Sequence, residues 1–82
     1  MEREEIKNKL YELMGELLEK SVDEIDEEKA LMDELDISSL EIMTMIADLE
    51  EYFKITIPEN DMRGMVTVGD IIDYIYEAKK AC

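Results

Sequence analysis

The beginning of the chain carries apolar residues at the spacing of an α-helix. In residues 2–20 they fall three or four positions apart and trace one face of a helix, a pattern that fits no strand. Acidic residues stand at the start of this segment and Lys20 near its end, which suits the helix dipole. We therefore predict a core-facing amphipathic helix. Its apolar face comprises Ile6, Leu10, Leu13, Met14, Leu17 and Leu18.

A second helical pattern covers residues 39–53. One stripe of apolar side chains at helical spacing predicts the side that faces the core. A neighbouring face carries Leu40, Met43 and Ala47 among carboxylates, and two interpretations stay open for it. It is either a wide core stripe with a solvated acidic flank or an apolar patch for a basic partner with an apolar centre. The core-facing stripe consists of Ile42, Met45, Ile46, Leu49 and Phe53.

The end of the chain predicts two further helices. Pro58 suits the start of a short helix over residues 59–65, which Gly64 weakens or ends. Thr67 and Asp70 have the spacing of a capping box, which starts a final helix. The inward positions of that helix, which extends to about Lys79, are Val68, Ile71, Ile72, Ile75 and Ala78.

Residues 21–38 form a long connection with sparse apolar positions. A loop of this length in a compact domain usually carries a function or is pinned across the core. Within it, Ser21 and Glu24 have the spacing to cap a single helical turn. Its acidic run, residues 23–28, lacks the glycine of a calcium-binding EF-hand loop and has isoleucine at a liganding position, so we predict no metal site. The apolar anchors are Val22, Ile25, Ala30, Leu31, Met32, Leu35 and Ile37.

Length and composition fit one small folded domain. The chain has 82 residues, of which 46% are hydrophobic, so it can bury a core and its acidity does not imply disorder. No internal repeat, low-complexity tract or interdomain linker interrupts the sequence. We therefore expect an all-α fold and a single domain that spans residues 1–82.

The charge balance narrows the class of partner. Nine basic residues against 23 acidic ones give a net charge of −14, which repels nucleic acids and anionic membranes and attracts basic protein surfaces. The sequence has no apolar run that could span a bilayer and no leader pattern, and its single cysteine, Cys82, allows no internal disulfide. We expect a cytoplasmic monomer that binds proteins, neither nucleic acid nor membrane.

The start of the second helix holds the candidate chemistry. Ser38 and Glu41 have the spacing of a capping box, in which each side chain accepts a hydrogen bond from the other residue's backbone N–H. In that register Ser39 takes the first helical position, where its hydroxyl has no local task. It lies near the positive end of the helix, which suits a phosphate ester. In the alternative register Ser39 is the cap, Ile42 falls at the third position and the box is lost.

The residue types that the chain lacks argue against catalysis. It has no histidine, so Ser39 has no imidazole base and no His/Cys set exists for zinc. Its three glycines are scattered and form no phosphate-binding loop. A helical bundle of this size also offers little room for an active site that excludes water. We therefore expect that the protein is not an enzyme and that Ser39, if it functions, is modified by another enzyme.

Three segments together resemble the acyl carrier proteins. Residues 34–41 (ELDISSLE) are similar to the family pattern D-L-G-x-D-S-L-[DE]. Residues 47–58 (ADLEEYFKITIP) and residues 66–75 (VTVGDIIDYI) match the segments that follow that pattern, at the spacing the family keeps. The resemblance covers essentially the whole chain, and the combination in a small acidic protein is specific.

The resemblance implies a protein that carries acyl groups as thioesters on a 4′-phosphopantetheine arm, for fatty-acid or polyketide-type biosynthesis. Ser39 matches the serine that bears the arm, and the phosphate of the arm would make this protein a phosphoprotein. A phosphopantetheinyl transferase would attach the arm from coenzyme A with magnesium, and acyl-chain synthase enzymes with basic docking surfaces would use the product. The family fold is a four-helix bundle with a short third helix and a long loop between helices one and two.

The resemblance also implies a docking face and a cargo pocket. Partner enzymes of the family dock on acidic and apolar positions of the second helix, which favours the apolar patch over the wide core stripe. Cargo would lie between the second helix and the third and fourth helices, where plain core packing is the alternative for every residue. The docking positions are Leu40, Glu41, Met43, Ala47, Glu50 and Glu51. The pocket positions are Ile42, Met45, Ile46, Leu49, Ile57, Met62, Met65, Ile71 and Ile72.

Three positions depart from the family pattern. Ser38 replaces the aspartate before the modified serine, Asp36 replaces the glycine, and Thr44 stands where fatty-acid carriers usually present another acid. Asp36 tolerates unusual backbone angles less freely than glycine. These departures favour, as an alternative, a dedicated carrier for a specialised polyketide, lipid or aminoacyl pathway. A rival from a different class is an acidic helical interaction protein or nucleic-acid mimic, which explains the net charge but not the free serine.

Overall fold

The regular structure of the chain is helical in the computed structural model, which describes residues 2–80. Within that range four α-helices follow one another, and the only bridge of strand type is an isolated one between Ala30 and Thr67. This confirms the predicted all-α, four-helix fold with a short third helix and a long first connection. Cys82 lies outside the described residues. The helices are α1 (Arg3–Leu18), α2 (Ser39–Phe53), α3 (Glu59–Arg63) and α4 (Val68–Lys80).

The core forms where α1 packs against α4 and α2. Half of the predicted apolar face of α1 is fully buried, and the other half lies partly buried along its edges. Burial is what stabilises these helices, since each apolar Å² removed from water contributes about 25 cal/mol. The fully buried side chains of α1 are Ile6, Leu10 and Met14, and the partly buried ones are Leu13, Leu17 and Leu18.

The two ends of α1 lie inside the predicted range of residues 2–20. Glu2 has an extended backbone and precedes the first helical residue without a side-chain cap, and Glu19 adopts a left-handed conformation with φ of 56° that stops the helix. The Glu19 and Lys20 N–H groups both donate to the Gly15 carbonyl oxygen, which closes the last turn. Lys20 therefore lies past the helix. Sequence analysis placed it inside, because hydrophobic periodicity does not show which residue leaves the helical backbone conformation.

The long connection contains the predicted single turn, a 3-10 helix over Val22–Glu24. The Ser21 hydroxyl caps it by accepting from the Asp23 N–H, not from the Glu24 N–H as the predicted spacing implied. Two of the predicted anchors are wrong: Val22 and Met32 are half exposed, because the turns that bury their neighbours direct them to solvent. The buried anchors are Ile25, Leu31, Leu35 and Ile37, and Ala30 is partly buried.

The connection is pinned to the start of α4, as its length suggested. The Leu31 N–H donates to the Val66 carbonyl oxygen over 2.8 Å, and the Gly69 N–H donates to the Glu27 carbonyl oxygen over 2.8 Å. A Cβ on Gly69 would lie 3.1 Å from that same Glu27 oxygen, so glycine allows the backbones to approach this closely. These bonds fix the loop that leads into α2.

A charge cluster joins α1, the connection and α4. The Arg3 guanidinium donates to a carboxylate oxygen of Glu27 and, over 2.9 Å, to one of Asp73. Lys7 adds an ion pair with Glu27 at 3.5 Å. The hydrogen bond from Arg3 lowers the pKa of Glu27, because it stabilises the charged carboxylate. In a chain this acidic, Arg3 offsets acids from two other segments at once.

The short α3 is held against α4. Pro58 directly precedes its first residue, and the Pro58 carbonyl oxygen accepts from the Asp61 and Met62 N–H groups. The helix ends at Arg63, two residues before the predicted boundary, where the Gly64 N–H donates to the Asp61 carbonyl oxygen. The Tyr74 hydroxyl of α4 donates to Asp61 Oδ2 over 2.7 Å. That bond to a carboxylate raises the pKa of Tyr74. A side-chain bond between helices thus helps to order a segment too short to be stable alone.

Candidate functional site

The predicted capping box starts α2. The Ser38 hydroxyl accepts from the Glu41 N–H over 3.2 Å, and the Glu41 carboxylate accepts from the Ser38 N–H over 2.9 Å. Ser39 takes the first helical position and is exposed. The predicted register is therefore confirmed, and the alternative in which Ser39 is the cap is wrong. The hydroxyl of Ser39 stands at the positive end of α2 without a role in the cap.

The turn before the cap depends on Asp36. Its φ is 59°, in the left-handed region where glycine is most at ease and where Asp and Asn are the next most tolerant residues. The following residue, Ile37, is buried and donates its N–H to the Leu31 carbonyl oxygen over 3.0 Å. The chain thus keeps, with a non-glycine residue, the reversal that places Ser38 and Ser39 at the surface.

One face of α2 presents apolar side chains to solvent. Leu40 is 73% exposed and Met43 57% exposed, and Ala47 beside them is also exposed. Glu51, one turn further on, is exposed as well. A core stripe would be buried, so this face is not part of the core. Exposed large apolar residues ringed by charge are typical of a surface that binds another protein.

Two of the predicted docking carboxylates have structural partners. Glu41 belongs to the capping box, which lowers its pKa because the Ser38 backbone N–H stabilises the carboxylate. Glu50 is partly buried, and its Oε2 accepts from the Ile57 N–H over 2.8 Å. The bond across the α2–α3 connection was missed by sequence reasoning, which has no local signal for a contact seven positions apart. Of the three predicted acids, Glu51 is the fully surface one.

Thr44 also has a local bond. Its hydroxyl donates to the Leu40 carbonyl oxygen over 3.0 Å, within the first turns of α2. The side chain is exposed but turned back onto its own helix, a common arrangement for threonine in helices. The exposed side of α2 therefore has a neutral residue at the position where the family resemblance predicts an acid.

Two neighbouring surface depressions lie between α2 and α3. The first, of about 330 Å³, has Ser39 in its wall, and the second, of about 300 Å³, begins at Met43 and runs towards Ile57. Met43 and Met62 line both. The apolar side chains beside Ser39 give this end of α2 a continuous groove. The first depression is lined by Met32, Ser39, Ile42, Met43, Met62, Arg63 and Met65, and the second by Met43, Ile46, Ala47, Glu50, Ile57, Glu59 and Met62.

The predicted cargo residues divide into two sets. One set lines the two depressions, whereas the other is buried in the core cluster and lines neither depression. The lining role of Met32 and Arg63 was missed, because Met32 lies in the irregular connection and Arg63 at the end of the short α3, where local patterns do not show which side chains reach the depression. The lining set is Ile42, Ile46, Ile57, Met62 and Met65, and the core set is Met45, Leu49, Ile71 and Ile72.

The pH dependence of stability follows from the capping carboxylates. Asp70 closes the predicted box of α4 by accepting from the Thr67 and Val66 N–H groups, and these two bonds lower its pKa. Glu27 and Glu41 are also lowered. A lowered folded-state pKa contributes stability above the unfolded value, which is lost as the pH falls through the folded value. We expect the thermal midpoint to decrease when the pH is lowered below about 4, since the ordinary pKa values of glutamate and aspartate are 4.5 and 3.8.

Melts from pH 7 to pH 3 (roughly the span over which carboxylates titrate) test this, with Asp70→Asn as the matched variant. Because asparagine does not titrate, that variant should lose less stability over the acid range than the parent does. A parent midpoint that stays constant on acidification, or an equal loss in both proteins, would contradict the assigned role of the boxes.

The chain is similar to known proteins in both sequence and structure. The family model described as the phosphopantetheine attachment site matches residues 8–75. The chain is 44% identical over 75 residues to an acyl carrier protein of Exiguobacterium sp., covering 92% of this chain and 95% of the relative. It is 40% identical over 70 residues to the acyl carrier protein of Clostridium perfringens, covering 85% of this chain and 92% of the relative.

Solved structures show the same fold. An acyl carrier protein from Enterococcus faecalis superposes with a TM-score of 0.81 at 27% identity, covering 95% of this chain and 99% of that chain. A protein described as a putative acyl carrier protein from Mycobacterium tuberculosis superposes with a TM-score of 0.75 and 93% coverage of this chain. Within residues 2–80, no helix is both long and apolar enough to cross a membrane.

Proposed function

The chain belongs to the acyl carrier proteins, the family with a phosphopantetheine attachment site, and from that premise we propose that Ser39 is the attachment residue. Members of this family are carriers and not enzymes. The observation that supports Ser39 is that the two serines at the start of α2 have different structural roles. Ser38 is held in the capping box, whereas the exposed Ser39 hydroxyl is outside the box and opens onto an apolar depression.

The surroundings of Ser39 suit a phosphodiester. Ser39 Oγ would attack the phosphorus of coenzyme A that bears the pantetheine, so that an ester bond forms and adenosine bisphosphate leaves. The hydroxyl proton would pass to a base of the transferase or to water, and the chain has no histidine that could accept it. When bound, the arm supplies a terminal thiol that carries acyl groups as thioesters. The helix dipole of α2 then favours the negative charge at Ser39.

The exposed face of α2 is the proposed docking surface. The family interacts with synthases and transferases, and this chain offers them Leu40, Met43 and Ala47 with Glu51 beside them. Apolar contacts would supply most of the affinity, while the net charge of −14 would raise the rate of encounter with a basic partner. Glu41 and Glu50 would contribute to the same field, although each also stabilises the fold.

The groove between α2 and α3 is the proposed entrance for cargo. Its wall begins at Ser39 and continues past Met43 and Met62 to Ile57. Methionine side chains are flexible and adapt to irregular shapes, so they can part for an acyl chain and close again when it leaves. The core residues of the predicted pocket, among them Met45 and Ile71, would be reached only if α2 and α4 separated further.

We propose that residues 1–82 form one carrier domain that acts as a monomer. We also propose that it acts in the cytoplasm, because the donor of the arm, coenzyme A, is an intracellular cofactor. Its partners would be a phosphopantetheinyl transferase and acyl-chain synthase enzymes. A dedicated carrier of a specialised polyketide, lipid or aminoacyl pathway is the second candidate, favoured by the neutral Thr44 on the docking face.

Intact-mass measurement of the protein purified from its own cells tests the attachment. We expect a phosphopantetheine adduct, and peptide mapping should place it on Ser39. Protein from a foreign host, incubated with coenzyme A, magnesium and a transferase of broad specificity, should gain the same mass. An unmodified protein under both conditions would favour the acidic interaction protein instead.

A further inference from the structure

Arg63 lies in the same depression as Ser39. That depression, of about 330 Å³, brings the C-terminal end of α3 to the start of α2, and Arg63 is the one charged side chain among its lining residues. The other lining residues besides Ser39 are apolar, four of them methionines. A cation in an apolar wall, beside the residue proposed to carry a phosphate, suggests that the wall recognises an anion.

The present partner of Arg63 holds it weakly. Its guanidinium donates to a Glu59 carboxylate oxygen over 2.7 Å, one turn earlier on α3. The Arg63 side chain is 71% exposed and the Glu59 side chain 67% exposed. Ion pairs this exposed contribute little, so exchanging Glu59 for another anion costs little. The only other arginine of the chain, Arg3, is tied instead to Glu27 and Asp73.

A local cation would stabilise a phosphodiester at Ser39 in a protein this acidic. The net charge of −14 repels an added negative group, and the helix dipole of α2 offsets only part of that repulsion. Arginine suits the task because its planar guanidinium can donate two parallel hydrogen bonds to phosphate oxygens. The phosphate would be joined directly to Ser39 Oγ, and Ser39 lines the same depression as Arg63.

Resting on the proposed attachment at Ser39, we infer that Arg63 is a positioning residue that binds the phosphodiester of the arm. By holding the phosphate on the side of α3, Arg63 directs the arm along the methionine-lined groove rather than out over Leu40. The same contact joins α3 to α2, so attachment of the arm should also order the short helix.

The test uses the full chain with nitrogen-labelled arginine side chains, before and after attachment of the arm from coenzyme A. The chain has two arginines, so each Nε–H gives a signal that can be assigned. We expect the Arg63 signal to move on attachment and the Arg3 signal to stay. Arg63→Gln should then shift the phosphorus NMR signal of the arm, and Arg63→Lys should shift it less. Lys54→Gln, which removes one positive charge at the far end of α2, should leave it unchanged.

The outcomes separate this inference from the proposed function. Intact mass is measured first, and a protein that gains no adduct would overturn both. An adduct on Ser39 with a stationary Arg63 signal and the same phosphorus signal in Arg63→Gln would overturn the role of Arg63 alone. Movement of the Arg63 signal together with a changed phosphorus signal in Arg63→Gln, but not in Lys54→Gln, supports the contact.

Discussion

Ser39→Ala should fold like the parent protein and accept no phosphopantetheine, whereas Ser38→Ala should be modified but less stable. The two serines are adjacent and both exposed, yet only the Ser38 hydroxyl accepts the Glu41 N–H. Removing a cap hydroxyl typically costs about 1 kcal/mol. Ser39 makes no such bond in the cap, so alanine at the first helical position costs little. The measurements are modified mass against time and a thermal melt on each variant.

Ser38→Asp is the informative control for this pair. Aspartate caps as well as serine and adds a negative charge at the positive end of α2, so stability should be kept or slightly raised. The change also restores the family pattern, and we expect modification at least as fast as in the parent. An adduct that persists on Ser39→Ala but vanishes from Ser38→Ala would place the attachment one residue earlier than proposed.

Local signals predicted the register of α2 and the existence of all four helices. The boxes of Ser38 with Glu41 and of Thr67 with Asp70 each require a fixed spacing, and both form as predicted. Because a cap fixes which residue comes first in a helix, it also fixed the place of Ser39. The hydrophobic stripe alone would have left that position uncertain by a residue or more.

Contacts between distant segments could not be predicted in the same way. Two such features depend on how α3 folds back towards α2: the bond from the Ile57 N–H to Glu50, and the presence of Arg63 in the depression that Ser39 lines. Short α3 has little periodicity to read, so its orientation is set by packing rather than by pattern. The exposure of Met32 shows the same limit, since a loop has no repeating face from which burial can be inferred.

Glu51→Lys should weaken docking and leave stability unchanged, whereas Glu50→Lys should weaken docking and also lower stability. Each change reverses one charge of α2, and the two residues are adjacent. The Glu50 carboxylate, however, accepts from the Ile57 N–H, and its loss should cost about 1 kcal/mol. Glu51 is exposed, and within residues 2–80 no backbone N–H donates to its carboxylate. Binding to a basic partner enzyme should weaken about tenfold at low ionic strength and less at high salt, where charges are screened.

Met43→Ala completes the docking test because its effect should not depend on salt. The side chain is 57% exposed and so has apolar area left to bury against a partner. Its loss should weaken binding about fivefold to tenfold at every ionic strength, since apolar burial is not screened by ions. Affinity measured for the arm-bearing protein at several salt concentrations, with a melt on each variant, distinguishes the three residues. Equal affinities for the parent, Glu51→Lys and Met43→Ala would mean that partners bind elsewhere than the exposed face of α2.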